Sequence, residues 1–182
     1  MAGSFNVLAG VSGDKLYSGG GLNIFLSRTG GVLMDDSLSR GQDAFFGGSA
    51  GTDTFICGSG TSLIATGTNT STVQLGSSGK ATVYAFGACT ITSGGGSADI
   101  VYGSTGTQLL LNAVSPGSTR VFALFNFVPG TERVTLQQYD PNAAAIALAN
   151  QVNSPGYTTL TLPDETRILL LGVARADASV FG

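Results

Sequence analysis

A chain of 182 residues, 42% apolar and only 10% charged, suffices for one domain with a buried core and is too apolar for disorder. Glycine, serine and threonine supply 67 of the 182 residues (28, 19 and 20), material for turns and strands and not for a helical bundle. Histidine is absent, which excludes histidine bases, histidine metal ligands and Ser-His-Asp chemistry; a net charge of −3 without a basic cluster argues against nucleic acid as a partner.

The opening residues Met1-Ala2-Gly3-Ser4-Phe5-Asn6-Val7 lack the basic and apolar regions of a signal peptide, so the chain reads as intracellular or as exported with its N-terminus intact. No run of 18 apolar residues suggests a membrane-spanning helix. From there a period emerges. Leu16, Phe25 and Met34 stand nine residues apart; Phe45 follows after eleven, Phe55 after ten, and Ile64 and Val73 after nine each. Val83, Ile91, Val101 and Leu110 continue the series with slips of one. A nine-residue period rich in glycine suits short strands joined by tight turns, each rung burying its apolar residue only by stacking on the next. The spacing predicts an all-β fold, a right-handed parallel β-solenoid over residues 10–115. Leu16, Phe25, Phe45, Phe55, Ile64, Val73, Val83, Val101 and Leu110 are expected to point inward. Cys57 and Cys89 fit no metal-ligand spacing and read as buried thiols, with a disulfide as the alternative.

Four segments share a finer pattern of a small residue, Asp, a spacer, two apolar residues and a small residue or Gly. They are centred on Asp14-Lys15-Leu16-Tyr17, Asp43-Ala44-Phe45-Phe46, Asp53-Thr54-Phe55-Ile56 and Asp99-Ile100-Val101-Tyr102. With Gly48-Ser49-Ala50-Gly51-Thr52-Asp53-Thr54-Phe55-Ile56 as its best copy, the pattern resembles the Gly-Gly-x-Gly-x-Asp-x-apolar-x nonapeptide of RTX (hemolysin-type) secreted proteins. The resemblance implies a β-roll, export from the cell and Ca²⁺ held by Asp residues on successive turns. Asn23, Ser62, Ser71 and Lys80 occupy later slots of the pattern, which leaves Asp14 with Asn23 and Asp43 with Asp53 as the implied ligand pairs, and Asp99 as a further candidate. The same Asp residues also read as caps of their own turns.

Only four of the 28 glycines fall after residue 120, which divides the chain into a degenerate RTX-like solenoid, 1–120, and a C-terminal capping, secretion-signal-like region, 121–182. The latter opens with an apolar strand ending near Val128, a Pro129-Gly130 turn and a strand to Leu136. A short helix is expected over 142–150, read as a cap on the solenoid end, and a β-hairpin over 158–173 turning at Pro163-Asp164-Glu165-Thr166.

No catalytic residue is assigned. Asp35-Asp36 is an adjacent carboxylate pair, but neighbours on a strand face opposite ways, so it reads as a solvated turn. The serines lack a base, and Gly94-Gly95-Gly96 lacks the Lys-Ser/Thr of a phosphate loop. The expected function is a non-enzymatic, secreted, self-assembling structural protein of a fibre, matrix or surface layer, located outside the cell or on its surface. Its partner is itself, through contacts of residues 1–8, with contact to a cell surface or glycan in addition. The alternative is a calcium-stabilised binding module, either an RTX-like secretion domain or an ice- or glycan-binding solenoid; Thr70-Ser71-Thr72 and Thr90-Ile91-Thr92 carry the Thr-x-Thr pattern of a flat ice-binding face.

Overall fold

The computed structural model describes residues 5–182; residues 1–4, the head of the segment expected to carry assembly contacts, lie outside the described residues. Strands succeed one another without an intervening helix: β1 (Phe5–Gly10), β2 (Lys15–Tyr17), β3 (Leu22–Ser27), β4 (Leu33–Asp35), β5 (Gln42–Phe46), β6 (Thr52–Ile56) and β7 (Thr61–Ala65). The series continues as β8 (Thr70–Gln74), β9 (Lys80–Ala85), β10 (Cys89–Thr92), β11 (Ser97–Tyr102), β12 (Gln108–Asn112), β13 (Val121–Phe125) and β14 (Arg133–Gln137). Helix α1 (Ala143–Ala149), β15 (Val152–Ser154), β16 (Tyr157–Thr161), β17 (Arg167–Leu171) and a 3-10 turn at Ala178–Val180 complete the chain.

Odd-numbered strands β1 to β13 stack in parallel into one sheet, and even-numbered strands β2 to β14 into a second, seven-stranded sheet. The fold is therefore an all-β parallel β-solenoid of about six turns, as expected. One nine-residue unit is half a turn. Successive apolar residues such as Phe45 and Phe55 come from opposite sheets, whereas residues two units apart are stacked neighbours: Phe25 on Phe45 on Ile64 on Val83 in one sheet, Met34 on Phe55 on Val73 on Ile91 in the other.

All of these core residues are fully buried. The Phe25 and Phe45 rings stack with centroids 4.8 Å apart, and Phe55 meets Phe45 edge-on at 6.1 Å. Such pairs add about 0.5–1.5 kcal/mol to the area they bury. At the corners the turns press so closely that a side chain on Gly67 would run into the carbonyl of Gly48 one turn below; the sequence needs glycine there to let the backbones meet.

Two inward assignments are corrected. Ile100 is fully buried and Val101 faces outward; Leu109 and Leu111 are fully buried and Leu110 faces outward. A one-residue slip exchanges every side chain between the two faces of a strand. In β11 the Asp of the pattern has itself moved outside, where Asp99 pairs with Lys80 at 2.6 Å, and alternation then turns Ala98, Ile100 and Tyr102 inward. In β12 three consecutive leucines offer no alternation to read.

The rod runs on past residue 120. β13 pairs with β11 and β14 with β12, so the strands flanking Pro129-Gly130 belong to opposite sheets. The expected hairpin forms: β17 is antiparallel to β16 and parallel to β13, which extends the first sheet to ten strands ending at β15. α1 buries Ala143 and Ala147, one helical turn apart, and packs against β16 and the 3-10 turn. No helix among the described residues is long and apolar enough to cross a membrane.

Candidate functional site

Alternation along β3, β5 and β7 directs one more set of side chains into the rod, and in its N-terminal half these are polar. Asn23, Asp43 and Ser62 are stacked register partners, all buried, with Asn6 below them. From Asn6 to Asp43 the column is hydrogen-bonded: the Asn6 amide donates to Asn23 Oδ1 at 2.8 Å, and Asn23 Nδ2 donates to Asp43 Oδ1 at 2.6 Å. Ser39 Oγ donates to Asp43 Oδ2 at 2.9 Å.

Asp36 joins this corner from the turn after β4. Its residue is fully buried, Ser18 Oγ donates to its Oδ1, and its Oδ2 has no hydrogen-bond partner. Burial first, and then the Asp43 carboxylate beside it, push its carboxyl up to about 8, against the hydroxyls of Ser18 and Ser39. The Asp36 carboxyl therefore keeps its proton at neutral pH. Asp35 and Asp36 do face opposite ways, as strand geometry requires, but Asp36 is enclosed and not solvated.

The implied ligand pairs are not brought together. Asp14 sits at the start of β2, exposed, and its Oδ2 accepts the Val11 amide at 2.8 Å, while its supposed partner Asn23 bonds Asp43 from the other sheet. Asp53, on β6, shares no hydrogen-bond partner with Asp43. Its Oδ1 accepts from Ser27 Oγ and the Val32 amide, both at 3.0 Å; its Oδ2 accepts from the Gly48 amide at 2.7 Å and Asn69 Nδ2 at 3.2 Å. Asp99 is on the outer face with Lys80. A carboxylate encircled by four N–H and O–H donors is surrounded by positive dipole ends, where a cation would be repelled. The residues present do not fit the calcium ion that the nonapeptide pattern implies; among the described residues no three acidic or cysteine side chains converge.

The cause is the half-turn period. Ligands one nonapeptide apart occupy opposite sheets, and the stacked positions two apart carry Asp53 with Ser71 and Asp43 with Ser62. Asp36 lay outside the repeat pattern, and the only sequence signal for it was its place two residues beyond Met34, hence on the same inward face. Cys57 and Cys89 are free, buried thiols, and burial pushes both up to about 12.

The two ends of the rod differ. At the C-terminal end the hairpin covers β13, and Phe181 and Gly182 pair along β14, with the Gly182 amide on the Val134 carbonyl at 3.3 Å. Arg120, buried in the same region, forms an ion pair of 3.2 Å with Asp164 and donates to the Asn112 carbonyl at 2.8 Å and the Gly94 carbonyl at 2.7 Å. Burial works against ionisation of Asp164, yet hydrogen bonds from Tyr139 and the Val114 and Thr166 amides outweigh it and hold the carboxyl below its usual range. Among the described residues β1 and β2 are the outermost strands at the N-terminal end, where Phe5, Val7 and Tyr17 are 55–60% exposed and line, with Leu8 and Ser18, a cleft of about 500 Å³. Compared with models of known families, with curated proteins and with solved structures, the chain matches none.

Proposed function

We propose that this chain is a non-enzymatic extracellular structural protein that assembles with itself end to end through its N-terminal rung. The observation that carries this reading is the asymmetry of the rod. Tail and hairpin cover the last turn, while β1 and β2 present strand edges beside apolar side chains. Unpaired edge N–H and C=O groups are templates for another strand, and β1 carries no proline, charge or bulge that would discourage pairing. The far edge of the ten-stranded sheet, β15, is three residues long with Val152 60% exposed, and offers a head-to-tail partner for β1. A heterologous contact that does not close into a ring gives a filament.

The sequestration of Asp36, Asp43 and Asp53 supports a structural role over a catalytic one, because buried, hydrogen-bonded carboxylates cannot reach a substrate. The test is size: the intact chain should elute as oligomers or filaments whose mass rises with concentration, and a chain lacking residues 1–8 should no longer elongate. An intact chain that stays monomeric at high micromolar concentration would reject the reading.

A threonine ladder favours a second reading. On the outer face of the seven-stranded sheet Thr52 pairs with Thr70, and Thr54 with Thr72 and then Thr90. A regular hydroxyl and methyl array suits binding of ice or a glycan; thermal hysteresis that a Thr72→Lys variant loses would establish ice binding.

A further inference from the structure

The outer face of the ten-stranded sheet departs from the polar exterior usual for a solenoid. One row across it reads Leu26, Phe46, Ala65, Tyr84, Val101 and Phe125, each the register neighbour of the next. Phe46, Tyr84 and Phe125 are 38–39% exposed, and Leu63 in the adjoining row is 40% exposed. Between β1 and β13 the charges on this face are Lys80 and Asp99, which neutralise each other. The equivalent row of the other sheet, one residue past its inward apolar positions, is Asp35, Ile56, Gln74, Thr92, Leu110 and Thr135, mostly polar and without an aromatic side chain.

We infer that this face is a lateral dimerisation surface whose occupant is a second copy of the same chain. Seven strands about 4.8 Å apart and about 17 Å long cover roughly 600 Å² per partner, about 1,200 Å² in all, within the range of specific interfaces. The apolar row runs unbroken across the middle of this face from Leu26 to Phe125, with Lys80 and Asp99 paired beside it. The order of side chains is self-complementary. A two-fold axis lying between the sheets, parallel to the strands and between β7 and β9, sets Ala65 against the second copy's Tyr84, Phe46 against its Val101 and Leu26 against its Phe125. Large residues then meet smaller ones, as two packed sheets about 10 Å apart require. The rods lie side by side and antiparallel, in an isologous contact that closes.

This surface is separate from the N-terminal edge, so the two contacts fail independently. The experiment compares the intact chain with a Phe46→Lys/Tyr84→Lys double variant and with Thr72→Lys on the opposite sheet, by sedimentation velocity and negative-stain microscopy. Because the substituted side chains point outward, melting temperatures serve as the folding control, and Phe46→Gln/Tyr84→Gln replaces the lysine pair should it fold poorly. Expected are paired rods for the intact chain and for Thr72→Lys, and unpaired rods or monomers for the double variant, with lateral association weakened roughly thirtyfold or more, the scale of a lost hot spot. Discrete side-by-side dimers that do not elongate would reject the end-to-end reading and keep this one. Single rods from the intact chain, pairing unchanged in the double variant, or pairing lost equally in Thr72→Lys would overturn it.

Discussion

Buried carboxylates give this solenoid its specific residue-scale chemistry. Asp53 accepts four hydrogen bonds that tie two turns together, so Asp53→Ala strands the buried amides of Val32 and Gly48. An unsatisfied buried donor costs about 1–3 kcal/mol, and the variant should lose about 3 kcal/mol or more in urea unfolding. Asp36 acts oppositely. Its carboxyl titrates near 8 in the folded chain, above its ordinary value of 3.8 in the unfolded one, so the folded state binds the extra proton between those values. The Asp36 contribution to stability is greatest below about pH 4, falls as pH rises to about 8 and levels off above. Asp36→Asn, neutral throughout, should flatten this decline in a series of melting curves from pH 5 to 9. An equally steep decline in the variant would place the titrating group elsewhere.

At the scale of elements, the apolar period carried the fold from Leu16 to Val83 because each half-turn there holds one large inward residue amid small ones. It failed where that contrast vanished, at the triple leucine of β12 and in β11, where Asp99 found Lys80 outside. The period also could not reveal that a nonapeptide is half a turn, which is why Asp43 and Asp53 looked like neighbours. Three-dimensional pairing decides that, as it does for Arg120, an unremarkable loop residue in sequence that binds the solenoid to its cap. Arg120→Met leaves Asp164 buried without its counter-charge and should cost about 3–5 kcal/mol. Asp164 is held ionised in the folded chain, so its contribution is present above the ordinary carboxylate range and is lost on acidification through its lowered folded value. The variant should therefore show its deficit at neutral pH and lose part of it in acid.

For the whole molecule, low charge, one covered end and, among the described residues, one uncovered end are what the proposed assembly rests on. The candidate ligands Asp14, Asn23, Asp43, Asp53 and Asp99 are engaged by the chain's own donors or by Lys80, so neither folding nor assembly should depend on calcium. A melting temperature that rises by several degrees in millimolar calcium over EDTA would return the ion to the structure. The most direct test is negative-stain microscopy of the intact chain and of the chain lacking residues 1–8, each in EDTA and in calcium. Elongated rods many solenoids long from the intact chain in both solutions, and none from the shortened one, are the expected result; isolated single particles from the intact chain would contradict the account.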